Sequence, residues 1–202
     1  SFGIDLLPPD LAKSSMDFSS EGNNIRYGLN SIKGISSKSL IALKDFIDTE
    51  TPTKYDIFLA AKESKLNIGI LSSLIQAGAL SSYKTNRARL VLEAQVFNLL
   101  TDREKRIFIS IGEEYNYDIL NSIHFAVTKN MKADDGKPIM KDSRFATLKS
   151  KYSAYKKIYD QNKKYELFAN WYFEKNLLGF SYSTSLSECF GKQLNLKKSV
   201  DF

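Results

Sequence analysis

The sequence contains one cysteine, Cys189, and one histidine, His124, among its 202 residues. A single cysteine excludes an internal disulfide framework and a cysteine-rich zinc site. Candidate nucleophiles, bases and metal ligands do not form a cluster along the chain, which argues against catalysis by this chain alone. His124 lies in the apolar stretch Ile123–Val127, so we expect its side chain to be partly buried rather than catalytic.

Long apolar runs are also missing. No stretch reaches the length of about 20 residues that a membrane-spanning helix requires, so we expect no membrane partner. Residues Ser1–Asp5 have neither an initiator methionine nor the basic start of a signal peptide. The chain stops equally abruptly at Phe202. We therefore expect a piece of a longer, cytoplasmic protein.

The residues that are present indicate a folded, mildly basic and mainly α-helical protein. Hydrophobic residues make up 43% of the chain, and the net charge is +6 with a pI of about 9.2. This hydrophobic content favours a packed core, and the excess of positive charge favours a polyanionic partner. Strand signals are sparse, but turn residues at Glu21–Asn24 predict a short β-ribbon near the N-terminus. Elsewhere apolar residues recur at helical spacing.

Two glycine turns between predicted helices carry most of the functional information. Gly34 follows Ile32, and Gly78 follows a helical pattern that ends at Gln76. Glycine reverses the chain easily because it adopts positive φ at little steric cost. A helix that starts just after such a turn exposes N–H groups, which favour an anion such as a DNA phosphate. Either turn alone can be a simple helix C-cap, whereas the pair predicts a tandem helix-hairpin-helix domain.

The predicted DNA contacts combine backbone amides, hydroxyls and positive charges beside the two turns. Contacts of this kind position DNA without carrying base information. We also expect Ser36 or Ser37 to cap the helix after the first turn, and Asn86 to cap the helix after the second. The predicted DNA-binding residues are Lys33, Gly34, Ile35, Ser36, Ser37 and Lys38 at the first turn, and Gly78, Ala79, Lys84, Arg87 and Arg89 at the second.

The segments around both turns resemble bacterial DNA polymerase III α subunits, the family C replicative polymerases. Ile4–Asp10, Ile25–Leu29 and Ile32–Ile35 are similar to the stretch that opens the tandem helix-hairpin-helix region of that family. Residues 67–79 are similar to its second unit, and Leu177–Ser183 to the element before its OB domain. The implied domains are the end of the fingers at 1–28, the duplex-binding domain at 29–100, a helical insert at 101–180, and a tail at 181–202 that leads towards a missing OB-like domain.

The resemblance also implies what lies outside this chain. The palm aspartates that bind two metal ions in the family lie upstream, so we expect no cofactor here and a parent protein that needs Mg²⁺ at a site elsewhere. The first hairpin reads Gly-Ile-Ser where the family usually has Gly-Val-Gly, so the Cβ of Ser36 can change how a phosphate approaches. Residues 101–176 have no familiar counterpart, which favours a lineage-specific insert in a phage or prophage polymerase.

The second half of the chain shows one long helical pattern over residues 144–177. A stripe of aromatic and apolar side chains, interpreted as core, runs along it. Stacking on the bases of a single strand is the alternative. Trp171 is expected to anchor this core. The stripe consists of Phe145, Leu148, Tyr152, Tyr155 and Tyr159.

The sequence therefore predicts sequence-independent binding of primer–template duplex DNA by a non-catalytic part of a replicative polymerase, in support of processivity. The alternative is a protein-docking module for the sliding clamp or another replisome subunit. The nearest candidates for a clamp-binding peptide are Gln95–Leu100 and Tyr165–Phe168. In the first of these, we expect Phe97 and Leu100 to pack inward.

Overall fold

A computed structural model describes residues 3–47 and 49–195 and shows a mainly α-helical protein with a small sheet, which confirms the predicted fold class. The strands are β1 (Leu6–Leu7), β2 (Ser19–Glu21) and β3 (Asn24–Arg26). The helices are α1 (Ser37–Asp45), α2 (Lys54–Glu63), α3 (Ile68–Gln76), α4 (Arg87–Asn98), α5 (Asp102–Ser110), α6 (Ile119–Thr128), α7 (Asp142–Asn162), α8 (Glu166–Leu178) and α9 (Leu186–Asn195). Among the helices of this described part, none is both long and apolar enough for a bilayer crossing.

The sheet places β3 between its two neighbours. β2 pairs with β3 in antiparallel register, with Ser20 opposite Ile25, as the predicted ribbon requires. β1 pairs with β3 in parallel, with Leu6 opposite Ile25. The sequence did not reveal this third strand, because Pro8 and Pro9 cut it to two residues. Such short strands hold the N-terminal segment against the helices that follow.

Side-chain caps fix where the helices begin. The Ser36 hydroxyl accepts a hydrogen bond from the N–H of Ser39 at 3.3 Å. Asn86 caps α4 in the same way through the N–H of Arg89 at 3.1 Å. Thr101 starts α5 with a reciprocal capping box to Glu104. These caps confirm the predicted starts of α1 and α4, because a cap depends only on residues within one helical turn.

One connected core extends from the N-terminal segment to the end of α8. Its largest fully buried side chains include Tyr55, Phe97 and Phe108. Helix α4 lies at the centre and packs against α2, α3, α6, α7 and α8. The core therefore continues across residue 100, where a boundary between the DNA-binding domain and the insert was predicted. Residues 196–202 of the predicted tail lie outside the described residues.

The prediction of one long helix over residues 144–177 is wrong in one respect, because the helix is broken. A 3₁₀ turn at Lys163–Tyr165 separates α7 from α8, and both helices pack against α4, which a single straight helix could not do. Leu148 and Tyr152 are buried as predicted, but Tyr155 is 46% exposed. His124 is exposed, contrary to the expectation of partial burial.

Candidate nucleic-acid interface

The first glycine turn lies at the surface and leads directly into α1. Gly34 has a φ of 83°, and a Cβ placed on it would meet no atom of the described residues within 4 Å. This left-handed residue reverses the chain so that α1 starts three positions later, at Ser37. Ile35 points into the core and is 8% exposed. The buried isoleucine holds the turn in place while its neighbours face solvent.

The backbone N–H groups of this turn divide into bonded and free donors. The N–H of Lys33 donates to the carbonyl of Leu177 at 2.9 Å, and that of Ile35 donates to Ile32 at 3.2 Å. These two amides are occupied. Four N–H groups have no acceptor among residues 3–47 and 49–195, and they lie at the positive end of the α1 dipole, where an anion is stabilised. They belong to Gly34, Ser36, Ser37 and Lys38.

Two lysine side chains flank these free amides. Lys33 and Lys38 are both exposed. Neither forms an ion pair within the described part of the chain. Their charges are therefore not neutralised by the protein. Free amides with an uncompensated cation on each side fit one phosphate group better than they fit any neutral ligand.

The second glycine turn has the same backbone bend but different surroundings. Gly78 has a φ of 90°, and both Gly78 and Ala79 are buried. The N–H of Gly78 donates to Ile75, and the N–H of Ala79 donates to Leu74, each at 3.0 Å. These bonds close the C-terminus of α3. The geometry runs against the predicted phosphate contact by Gly78 and Ala79, because their amides are already bonded.

A close contact with the C-terminal part explains why residue 78 is glycine. A Cβ at Gly78 would lie 1.8 Å from the hydroxyl of Tyr182 and 2.8 Å from Nη2 of Arg87. The Tyr182 hydroxyl donates to the carbonyl of Ala77 at 3.2 Å and accepts from Arg87 Nη2 at 2.8 Å. Packing of this tyrosine, rather than access for a ligand, requires glycine at the second turn.

Arg87 forms a buried ion pair instead of facing solvent. Its Nη1 lies 2.6 Å from Oε1 of Glu174, whose side chain is fully buried. Glu174 also accepts hydrogen bonds from Ser181 and from the backbone of Tyr182 and Ser183. Burial by itself raises the pKa of Glu174, but these hydrogen bonds and the charge of Arg87 bring its pKa below the ordinary value. The carboxylate stays ionised and neutralises Arg87.

Arg89 is neutralised in the same manner. Its Nε donates to Glu93 at 3.0 Å, and its Nη2 donates to both carboxylate oxygens of Asp118 at 2.8 and 2.9 Å. Glu93 is also paired with Lys54 at 2.6 Å, and burial raises the pKa of Glu93. Both arginines predicted as DNA contacts therefore serve the core. At the second turn Lys84 is exposed and makes no ion pair within the described residues.

The C-terminal segment connects the two turns. Leu177 accepts from the N–H of Lys33 at the first turn, and Tyr182 contacts Ala77 at the second. The chain between Leu177 and Tyr182 can span at most roughly 18 Å. Both turns therefore contact the same short C-terminal segment.

Part of the chain is similar to known proteins. Residues 3–90, which contain both glycine turns, match the family described as the helix-hairpin-helix motif. The chain is also similar to proteins named DNA polymerase III subunit alpha: it is 34% identical over 98 residues to that of Aquifex aeolicus (strain VF5), 34% over 91 residues to that of Thermus aquaticus, and 33% over 98 residues to that of Bacillus subtilis (strain 168).

The similarity covers less than half of this chain and a small part of each relative. The three matches cover 44 to 46% of this chain and 7 to 8% of each relative. Over this part the resemblance noted in the sequence is confirmed. The family match ends at residue 90, within the first turn of α4, although α4 is the helix on which α6, α7 and α8 pack.

The two candidate clamp-binding peptides differ in accessibility. In Gln95–Leu100, the side chain of Phe97 is fully buried and that of Leu100 is 4% exposed. The inward packing expected for both is therefore confirmed, and this peptide has no free apolar face. In Tyr165–Phe168, three large side chains are exposed.

Proposed function

We propose that the chain binds the phosphate backbone of duplex DNA through the first glycine turn, independently of base sequence. The observation that carries the proposal is the set of free N–H groups at the start of α1, flanked by Lys33 and Lys38. Backbone amides at a helix N-terminus contact phosphate oxygens, which are identical at every base pair. The same turn belongs to a helix-hairpin-helix region, and this supports a nucleic-acid ligand over a small anion.

The biological setting follows from the relatives and is also a proposal. Proteins named DNA polymerase III subunit alpha are similar to this chain over 91 to 98 residues. We propose that this chain holds primer–template duplex for such a polymerase in the cytoplasm of a bacterial or phage-infected cell, and so supports processivity. Polymerisation with Mg²⁺ would then take place at residues outside this chain.

A proline substitution isolates one backbone donor. Ser37 is the first residue of α1 and its N–H is free, so Ser37→Pro removes a donor at a position where proline is tolerated. Ser36 already has the extended conformation that proline requires of the preceding residue. We expect duplex binding to weaken about tenfold, because a hydrogen bond to a charged group is lost. The measurement is fluorescence anisotropy with a labelled primer–template.

Ser37→Ala is the matched control, because it removes the hydroxyl and keeps the N–H. It should bind duplex with nearly unchanged affinity, and both variants should keep the stability of the parent chain. Equal affinities for Ser37→Pro and Ser37→Ala would show that the amide does not contact phosphate.

A second candidate function is protein docking by α8 and α9. The exposed fractions are 53% for Leu167, 38% for Phe168, 49% for Tyr172 and 37% for Phe190, and the rings of Phe168 and Phe190 lie 5.5 Å apart. Exposed apolar patches of this kind favour a protein partner. Phe168→Ser should abolish binding to a sliding clamp, while Phe46→Ser, another exposed phenylalanine, should not. Absence of any clamp binding by the parent chain would remove this candidate.

A further inference from the structure

A surface cleft lies between α4 on one side and α7 and α8 on the other. Its volume is about 360 Å³, within the range of sites that hold small organic groups. Its walls are mainly apolar and aromatic, with Leu92 from α4, Tyr155 and Tyr159 from α7, and Phe173 from α8. Tyr155 is 46% exposed at the rim. The cleft therefore offers ring faces to a flat ligand that enters from solvent.

Three side-chain amides that line the cleft have no partner among the described residues. They belong to Gln76, Gln95 and Asn170, and each of these residues is only partly exposed. An amide carries donors and an acceptor together, which matches the hydrogen-bonding edge of a nucleobase. A purely apolar peptide side chain would leave these amides unsatisfied. The polar groups therefore favour a heteroaromatic ligand over a hydrophobic one.

The segment from the second half of α7 through the 3₁₀ turn at Lys163–Tyr165 carries most of the excess charge of the protein. Residues 149–165 contain six lysines and one carboxylate, Asp160, so their net charge is +5, compared with +6 for the whole chain. All six lysines are exposed. Lys156 and Lys163 pair with Asp160, and Glu166 is the carboxylate that lines the cleft in the described structure. Lys163 lines the cleft itself, whereas Lys149, Lys156 and Lys157 lie around another face of α7. The unpaired lysines are therefore available to the phosphates of a strand that continues from the cleft around α7.

We propose that this cleft binds single-stranded DNA, with an unpaired base between Tyr155 and the α8 wall and the adjoining phosphates on the α7 lysines. Unpaired bases expose the ring faces and edges that duplex DNA hides, and aromatic stacking with a basic track is the usual way in which proteins hold them. The site is separate from the first turn, which contacts backbone only, so it does not depend on the duplex proposal.

The test measures binding of fluorescein-labelled oligo(dT) by the whole 202-residue chain at several salt concentrations. Tyr155→Leu keeps an apolar side chain and removes the ring, and should weaken oligo(dT) binding about tenfold without changing duplex affinity. The triple variant Lys157→Gln, Lys163→Gln, Lys164→Gln should lower the salt slope for oligo(dT) by about two. Its control carries the same charge change elsewhere, at Lys129, Lys132 and Lys137, and should behave like the parent chain.

Each other outcome overturns the proposal. Unchanged oligo(dT) affinity in Tyr155→Leu would exclude base stacking in the cleft. Equal losses in the two triple variants would indicate general charge attraction. Loss of oligo(dT) binding in Ser37→Pro would assign single strands to the first turn. Binding of the amphipathic dye anilinonaphthalene sulfonate that is lost in Tyr155→Leu, with no oligo(dT) binding, would identify the cleft as a protein-docking surface.

Discussion

The two glycine turns have nearly the same backbone and opposite environments. Gly34 and Gly78 have φ values of 83° and 90°. Around Gly34 the space is open, and its own amide and those of Ser36, Ser37 and Lys38 have no acceptor in the described part of the chain, whereas Gly78 is packed under Tyr182 with its amide bonded. The comparison shows that a glycine between two helices does not by itself define a ligand site. What decides is whether another part of the chain covers the turn.

The largest effect should come from the ion pair that covers the second turn. Arg87→Met removes the partner of the buried Glu174 carboxylate, and we expect the free energy of unfolding to fall by about 4 kcal/mol. Urea denaturation measures this loss. Lys84→Met, at an exposed cation of the same hairpin, should change stability little. Normal stability of Arg87→Met together with weaker duplex binding would restore Arg87 as a DNA contact.

Replacing each turn glycine by alanine compares how much stability depends on the glycine at the two turns. Gly78→Ala should destabilise the fold by about 3 kcal/mol, from left-handed backbone strain and from the clash with Tyr182. Gly34→Ala meets no atom and should lose only about 1 kcal/mol from strain. A Tyr182→Phe background should lessen the loss at Gly78 and leave the loss at Gly34 unchanged. Equal losses at both positions, measured by urea denaturation, would contradict the difference in packing.

A substitution of Lys105 tests whether DNA binding depends on the overall stability of the fold. Lys105 is 1% exposed, and its Nζ has no hydrogen-bond partner among the residues that the structure describes. Burial together with the nearby Lys62 lowers its pKa to about 8. The folded state thus binds fewer protons than the unfolded state between pH 8 and the ordinary lysine pKa of about 10.5, so stability should rise with pH across this window. The negative charge of Asp102, which forms an ion pair with Lys62, raises the pKa of Lys105 and so opposes this shift.

Lys105→Met should therefore stabilise the fold at pH 7 by about 2 kcal/mol and flatten the rise above pH 8. Thermal unfolding at pH 7 and pH 9.5 checks both expectations. Duplex affinity should stay unchanged, because the open first turn does not depend on this helix. An affinity that follows stability would mean that binding reports the fold as a whole and not the exposed amides.

The smallest effect concerns the lysines of the first turn. Lys33→Gln with Lys38→Gln should weaken duplex binding by about 1 kcal/mol, roughly fivefold, and lower the salt slope by about two. Lys129→Gln with Lys132→Gln is the control of equal charge. Anisotropy titrations at several salt concentrations measure both quantities, and identical slopes for the two double variants would count against the first turn as a phosphate site.

Local features could be predicted because they depend on neighbours along the chain. The caps at Ser36 and Asn86 each involve a residue three positions away. The helical periodicity, the ribbon and the mainly α fold follow from similar short-range patterns. The break at Lys163–Tyr165 escaped prediction because the sequence there has no proline or glycine. Packing of two helices against α4, and not local propensity, places that break.

Partners that are distant in sequence account for the differences at the site. Arg87 and Glu174 are 87 residues apart, and Arg89 and Asp118 are 29 apart. No local pattern marks either pair, so both arginines resemble free surface cations when only the sequence is considered. A buried arginine needs a carboxylate partner, but only the folded chain shows which one.

The sequence alone determined that this chain is a helical, basic protein with two glycine reversals in a helix-hairpin-helix arrangement, because caps, periodicity and turn residues act over one or two helical turns. The tertiary structure decided which reversal is open. Tyr182 and Glu174 return from the far end of the chain and bond the second turn, since their polar groups need partners once they are buried. No such segment covers the free amides of Gly34, Ser36, Ser37 and Lys38 within the described residues, and these amides are therefore left for a ligand.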